Sequence, residues 1–472
     1  MTEEIFNFFE VKTFEVPSVK ILADDIRFNA DYFLSSDNIV YNKNIKFTTL
    51  SEFAAVFFPG IFKRIIVDSP EFGVPFITTS GMMEYAPQPE KFLSIALTQN
   101  LPIYRVEEDW ILVSRSGTIG NTVFTAKNLT RFAITEDALR VIPNDKNQVG
   151  FLYFYITSDY GKDLIVGKKG GAVVDHIYED DLMRLQVPIV PDKIIIELQK
   201  KYLEVKILRE EANDLLQEAN RLVHEYNHLP QLNVSNAEYF DEEKKIPVRI
   251  LNSNIIIGQY RLDGRFFNPL AELANKNIVN YSSSYAPLEK LVTDIVIGKR
   301  FKRNYVESEF GTPFIGSKNI LQIRPGELKY LSNSETAFIK DLILEKNFIL
   351  IACSGSLGGT FGKSCFIYKN FEGYAASQHI LRIIPNDNKI DPAYLFAFLS
   401  GEYGYTEIVR YRYGSLIDEI DDENMKGVLI PICSPEQQKS IGDRVRLAYV
   451  KRAEAIHLEN EGQGILKQSL IQ

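Results

Sequence analysis

The sequence predicts an α+β protein in which two pseudo-symmetric tandem copies of one domain are separated by two long antiparallel helices forming a coiled coil. Three observations lead there. A chain of 472 residues exceeds what one hydrophobic core usually organises, so two domains of ordinary size are expected. Its two halves repeat one another in order, and each half closes on apolar residues spaced for a long helix.

A long-period repeat decides architecture before any single motif does. Arg27-Phe-Asn-Ala-Asp-Tyr-Phe33 answers Arg261-Leu-Asp-Gly-Arg-Phe-Phe267, and Phe62-Lys-Arg64 answers Phe301-Lys-Arg303. Gly73-Val-Pro-Phe-Ile77 answers Gly311-Thr-Pro-Phe-Ile315, and Ser116-Gly-Thr-Ile-Gly120 answers Ser354-Gly-Ser-Leu-Gly358. Arg140-Val-Ile-Pro-Asn-Asp145 answers Arg382-Ile-Ile-Pro-Asn-Asp387, and Pro188 answers Pro431. The offset drifts from 234 through 238 to 243 residues, as loop insertions accumulate in a duplicated domain.

Within each copy, short apolar runs such as Trp110-Ile-Leu-Val113, Phe348-Ile-Leu-Ile-Ala352 and Ser377-Gln-His-Ile-Leu-Arg-Ile-Ile384 read as strands between Gly, Asn and Asp turns. Val149 to Ser158 and Pro392 to Ser400, rich in Tyr, Phe and Leu, read as short helices. Each copy then ends on a short strand closed by proline, Leu185-Gln-Val-Pro188 and Val428-Leu-Ile-Pro431.

After the first, Leu198, Val205, Leu208, Ala212, Leu215, Ala219, Leu222 and Tyr226 fall at heptad spacing, interrupted once by Lys201. A helix from about Ile194 to Asn227 would be roughly 50 Å long, more than a compact domain needs, so it reads as a spacer. From Leu229 to Ile246, Pro230, Asn233, Ser235, Asn236 and the run Asp241-Glu-Glu-Lys-Lys245 indicate an exposed linker. The second helix opens with Ser434-Pro-Glu-Gln437, an N-cap serine, proline at the first helical position and a glutamine placed to close a capping box. Ile441, Val445, Ala448 and Ala455 fit a heptad; Arg452 sits among them, and Gly462 and Gly464 should weaken the end.

Composition is that of a globular chain, 45% hydrophobic and 24% charged. Its longest apolar stretches fall far short of a membrane span and Met1 to Glu10 lacks a signal core, so a cytoplasmic protein with no membrane partner is expected. Cys353, Cys365 and Cys433 are too scattered for a disulfide framework or a metal site and read as buried thiols. A formal charge of -9 argues against a bulk electrostatic grip on nucleic acid. Local clusters at Lys63-Arg64, Lys168-Lys169 and Lys299-Arg300-Phe301-Lys302-Arg303 leave room for a focused one.

Catalytic motifs fail on inspection. Gly358-Gly-Thr-Phe-Gly-Lys-Ser364 misses a phosphate-binding loop by one residue, since the first glycine would fall at Leu357, and the other copy has no counterpart. Cys353, Ser354 and Ser356 with His379 as base lack a nucleophile elbow. Asn268-Pro-Leu-Ala271 is the nearest approach to a methyltransferase Asn-Pro-Pro-Tyr motif, so no metal, cofactor or catalytic residue is assigned to this chain.

These ordered features resemble the specificity subunits of type I restriction-modification systems. The likeness spans nearly the whole chain: the Arg-x-Asp/Asn-Ala/Gly-x-Tyr/Phe-Phe opening, the Gly-x-Pro-Phe-Ile strand, the Ser-Gly-x-x-Gly turn, Ser377-Gln-His379, Gly414-Ser415, and Ile-Pro before Ser-Pro-Glu-Gln-Gln438. The first copy departs at Ala172, at Ala133-Ile134 and at Pro191-Asp-Lys-Ile194. The resemblance implies target recognition domains at 1–190 and 247–433, spacer helices at 191–228 and 434–472, and a linker at 229–246. It also implies a non-catalytic subunit reading a bipartite site on double-stranded DNA. Two adenine-N6 methyltransferase subunits using S-adenosylmethionine would dock on it, with or without motor-endonuclease subunits using ATP and Mg.

Candidate DNA contacts are basic and polar residues near the repeated turns, since Arg and Lys hold phosphates while Arg, Asn, Gln or Ser read base edges. In the first copy these are Lys63, Arg64, Thr79, Arg115, Lys168 and Lys169. In the second they are Lys299, Arg300, Lys302, Arg303, Lys318, Asn319, Arg410, Tyr411, Arg412 and Tyr413. The competing reading is a standalone DNA-binding or scaffold protein of another defence system. Charge reversal at Lys302 and Arg303 separates DNA reader from scaffold.

Overall fold

In the computed structural model, which describes residues 45–67, 70–89, 91–168, 175–233, 240–241, 246–247, 261, 263–326 and 328–471, the duplication extends to both four-stranded sheets and to the long helix that closes each unit. The first unit carries β1 (Phe47–Thr49), β2 (Ala54–Phe57), β3 (Ile66–Val67), β4 (Gly73–Ile77), β5 (Phe92–Ser94), β6 (Ile111–Ser114), β7 (Thr122–Phe124), β8 (Ala133–Ile134) and β9 (Ala138–Pro143). There follow α1 (Val149–Thr157), α2 (Asp159–Gly167), α3 (Glu179–Met183), β10 (Gln186–Pro188) and the long α4 (Asp192–Tyr226). A short pairing of β11 (Phe240–Asp241) with β12 (Ile246–Pro247) precedes the second unit.

That unit opens with α5 (Pro269–Tyr281), β13 (Tyr285–Pro287), β14 (Val292–Ile297), β15 (Tyr305–Val306), β16 (Gly311–Ile315), β17 (Lys329–Ser332), β18 (Ile349–Ala352), β19 (Ser354–Gly355), β20 (Ser364–Phe366), β21 (Ala375–Ala376) and β22 (Ile380–Pro385). It closes with α6 (Pro392–Ser400), α7 (Glu402–Arg410), β23 (Asp418–Glu419), α8 (Asp422–Met425), β24 (Leu429–Pro431) and the second long helix, α9 (Pro435–Ile471).

Each unit contains two four-stranded sheets of matching order, β2-β9-β6-β7 with β3-β5-β4-β8, and β14-β22-β18-β20 with β15-β17-β16-β21. In both, the Gly-x-Pro-Phe-Ile strand pairs parallel with the short strand that follows the glycine-rich hairpin, Phe76 with Ala133 and Phe314 with Ala375. The central strands β6 and β18 are buried along their whole length, which explains their continuous apolar runs.

The two long helices lie antiparallel: Lys201 pairs with Glu461 at 2.6 Å and Glu211 with Lys451 at 2.7 Å, so one number rises as the other falls. The lysine that breaks the heptad is thus a cross-helix ion pair. Ser434 and Gln437 form the expected capping box, Ser434 N donating to Gln437 Oε1 at 3.0 Å and Gln437 N to Ser434 Oγ at 3.3 Å. The helices are core elements of both units. Ala455, Leu466 and Leu470 of α9 complete the first unit's core, while Ala219, Leu222 and Val223 of α4 complete the second's.

Three points are changed or added by the structure. Gly462 and Gly464 do not end α9, which runs on to Ile471; a Cβ at Gly462 would stand 2.4 Å from the Phe154 ring, so this glycine lets α1 approach. The linker is not exposed at its start, because Leu229 and Leu232 are buried in the second core and Pro230 O accepts from Tyr403 Oη at 2.8 Å. The recognition units also touch one another. Tyr85 N donates to Leu321 O at 3.1 Å and Ile323 N to Met83 O at 2.8 Å, around an antiparallel bridge of Glu84 with Gln322, and Ile323 enters the first unit's core. Glu84 and Gln322 are matched by the repeat, as are Met83 with Leu321 and Tyr85 with Ile323, so the two hydrogen bonds exchange under the pseudo-twofold axis. The Arg27–Phe33 opening of the first copy lies outside the described residues.

Candidate nucleic-acid interface

The repeated Phe-Lys-Arg segment, the end of the Gly-x-Pro-Phe-Ile strand and the turn after the short parallel strand converge in each unit. In the first, Phe62 stacks on Tyr104 with centroids 3.9 Å apart, which fixes the segment and leaves Lys63 exposed. Arg64 lies over the Phe76 ring at 5.5 Å. It donates to Glu136 Oε1 at 2.8 Å and Thr135 Oγ1 at 3.1 Å, with Asp137 at 3.5 Å. Thr135 N in turn donates to Ile77 O at 3.0 Å, tying this turn to the strand that carries half-buried Thr79 just beyond it.

The second unit repeats the design with one chemical change. Arg303 lies over the Phe314 ring at 5.2 Å and donates to Gln378 Oε1 at 2.9 Å, while Ser377 N donates to Ile315 O at 3.0 Å. Lys299, Arg300 and Lys302 are exposed around it. An anionic latch, Glu136 with Asp137, thus meets the first arginine, whereas the neutral amide of Gln378 meets the second.

Beneath each turn lies a buried arginine that sequence reasoning took only as part of a repeated strand. Arg140 donates to the carbonyls of Ile134 at 2.8 Å and Thr135 at 2.9 Å and also to Ala138 O. Burial lowers it to a pKa of about 10. Arg382 donates to Asp341 O and, at 3.4 Å, to Ala376 O. An arginine in mid-strand, at the same place in both copies, was the signal: a charged side chain inside must be hydrogen-bonded, and here it braces the turn that holds the exposed arginine.

Two candidates point inward. Arg115 is 6% exposed, wedged over the Phe58 ring at 4.4 Å and the Tyr178 ring at 5.4 Å, and its counterpart in the second copy is buried Cys353. Arg410 is 8% exposed, over Phe266 at 4.6 Å and 3.4 Å from Glu407. Neither presents its charge at the surface, because aromatic rings on neighbouring elements enclose the guanidinium. Asn319 is half-buried and holds its own turn, accepting from Gly316 N at 2.9 Å, while Lys318 beside it is exposed. Lys168 caps α2 half-buried, and Lys169 lies outside the described residues.

The loop after α7 is clamped by the opening motif of its own unit. Arg261 donates to Tyr411 O at 3.2 Å and Arg412 O at 2.9 Å, and Arg265 to Gly414 O at 3.2 Å and Asp418 at 3.0 Å. This holds half-buried Tyr411 and Arg412 in place and turns Tyr413 outward, next to Leu416, which is 95% exposed at the loop tip. Spacing alone gave no sign that the opening motif acts as a clamp, since its partners lie some 150 residues away.

The near-miss catalytic motifs gain nothing from their surroundings. Lys363 of the glycine-rich segment lies 3.6 Å from Glu84 of the other unit. Burial pushes the Cys353 thiol up to about 12, which removes it as a nucleophile at neutral pH. Among the described residues no cluster of His, Cys, Asp and Glu is arranged to hold a metal ion, and no helix is long and apolar enough to cross a membrane.

The family model of the type I restriction modification DNA specificity domain matches residues 29–218 and again 291–451. No curated protein matches the chain significantly. Among solved structures, the chain is similar to the S subunit of a type I restriction-modification system from M. genitalium, with 15% identity over 92% of this chain and 98% of that one and a TM-score of 0.33. It is also similar to the HsdS subunit from Thermoanaerobacter tengcongensis, with 14% identity over 92% and 99% and a TM-score of 0.28.

Proposed function

The chain belongs to the type I restriction-modification DNA specificity family, and we propose that its two units each read one part of a bipartite DNA target. As a specificity subunit it recognises sequence and carries no catalysis. One observation supports the bipartite reading above all: the same basic cluster, Phe62-Lys-Arg64 and Phe301-Lys-Arg303, stands on the same strand ends of two units related by a pseudo-twofold axis. Matched surfaces on a rigid pair of helices engage two stretches of one duplex at a separation set by the helix pair, as in dimeric readers.

Lys63, Arg64, Lys299, Arg300, Lys302, Arg303 and Lys318 contact phosphates or base edges in this reading, with Thr79, Lys168, Arg412 and Tyr413 at the rim; Lys169 stays a candidate from the sequence alone. The duplicated architecture also suits two equivalent partners. Methyl transfer from S-adenosylmethionine to adenine N6 belongs to two methyltransferase subunits, and ATP with Mg to a motor-endonuclease subunit where one joins, all in the cytoplasm.

The test is charge reversal, Lys302→Glu with Arg303→Glu, in the assembled complex. DNA affinity should fall and the dependence of log K on log salt should flatten by about two units, one for each phosphate no longer neutralised. A pure scaffold would leave both unchanged.

A further inference from the structure

The pseudo-twofold axis relates two clefts, each between one recognition unit and the far half of the other unit's long helix. The smaller, of about 400 Å³, is lined by Tyr153, Arg324, Glu459 and Gln463. The larger, of about 850 Å³, has Phe396, Ala86, Leu216 and Asn220 at the matching positions.

The smaller cleft contains its own anion. Glu459 accepts from Arg209 Nη2 at 2.6 Å, Arg324 Nε at 2.8 Å and Tyr153 Oη at 2.6 Å. The repeat carries Arg209 onto Arg452 but Glu459 onto Leu216, so the larger cleft keeps the cation and lacks the carboxylate. Arg452 lies over the rings of Tyr85 at 4.2 Å and Tyr449 at 5.0 Å, and among the described residues no carboxylate pairs with it. Its Nε is buried without a hydrogen-bond partner, and so are Tyr85 Oη, Asn213 Oδ1 and Ser364 Oγ of residues around the same cleft.

We propose that the larger cleft binds a small organic anion, with one carboxylate on Arg452 and an apolar body along Leu216 and Phe396. The Arg452 guanidinium lacks the carboxylate that its counterpart Arg209 holds, and a cation left without one beside an open cleft favours an anionic ligand. A guanidinium takes a carboxylate in bidentate fashion, which is the group the twin cleft places against Arg209. A single carboxylate is expected because the other deep cation, Lys363, already lies 3.6 Å from Glu84. The volume is that of an ordinary small-molecule site.

The full-length chain is titrated calorimetrically with benzoate, 4-hydroxyphenylacetate and hexanoate, and in parallel with neutral benzamide and inorganic phosphate. At least one carboxylate should bind saturably, benzamide and phosphate should not, and Arg452→Met should weaken binding tenfold or more. Leu216→Glu, which gives this cleft the carboxylate its twin has, should abolish binding and raise the melting temperature. Failure of all three carboxylates to bind, equal binding to Arg452→Met, or equal binding of benzamide or phosphate overturns the proposal. DNA affinity, measured on the same preparations, is independent of each outcome.

Discussion

Arg209 on the first long helix donates from Nη2 to Glu459 Oε1 on the second at 2.6 Å, and both side chains are buried. Glu459 also receives Tyr153 from the first unit and Arg324 from the second, so four parts of the chain meet on one carboxylate. Burial alone would push this carboxyl up, yet Arg209 and Arg324 hold it below the ordinary glutamate range. Breaking a buried pair by removing one partner strands a charge. Glu459→Ala should therefore cost about 3–5 kcal/mol of unfolding free energy in denaturant titration. The double variant Arg209→Leu with Glu459→Leu, which removes both charges, should recover most of that loss.

The two glycines of the same helix should respond in opposite directions. A Cβ at Gly462 meets the Phe154 ring at 2.4 Å, whereas nothing lies within 4 Å of one at Gly464. Gly462→Ala should destabilise by about 1–3 kcal/mol through overpacking, in spite of alanine's better helix propensity. Gly464→Ala should stabilise by up to about 1 kcal/mol. Thermal melts of the two variants check both, and a gain from Gly462→Ala would rule out the close approach of α1.

Arg64 and Arg303 occupy equivalent places but face Glu136 and Gln378 respectively. A carboxylate competes with phosphate for the guanidinium, whereas an amide does not. Gln378→Glu should weaken DNA binding by the assembled complex about tenfold, near 1.4 kcal/mol, and lower the salt slope by about one. Glu136→Gln should do the reverse. Fluorescence anisotropy over a range of salt concentrations reads both, and an unchanged slope in each variant would place the two arginines away from the phosphates.

Glu407 supplies a pH dependence. Its carboxyl is buried, and although Arg410 and Asn275 act against the shift, burial pushes it up from 4.5 to about 7. The folded unit thus binds a proton more tightly than the unfolded chain. The stability linked to this group is fully present below the ordinary glutamate pKa and is lost as pH rises through about 7. Glu407→Gln should flatten the unfolding free energy between pH 5 and 8, and its advantage over the parent should grow toward the upper end. Parallel profiles for the two proteins would show that Glu407 does not titrate in this window.

The duplication, the strands within each unit, the two long helices and their antiparallel pairing were legible in the sequence, because each follows from local periodicity or from comparing one half with the other. The basic clusters were legible in the same way. Spacing did not reveal Arg115 and Arg410 as inward-facing, since each is enclosed by rings brought from other elements. It likewise took Lys201 and Gly462 as flaws in a helix. Each is explained by one partner far along the chain, Glu461 and Phe154.

The residue order by itself determined that there are two like units and two rods, since hydrophobic period and repeat are one-dimensional properties. Only the tertiary structure decided which polar side chains are buried between the rods, that the units touch across their symmetry axis, and that one cleft holds a glutamate where its twin holds a leucine. Burial and charge pairing depend on what stands opposite in space, and for Arg209 that partner is 250 residues away.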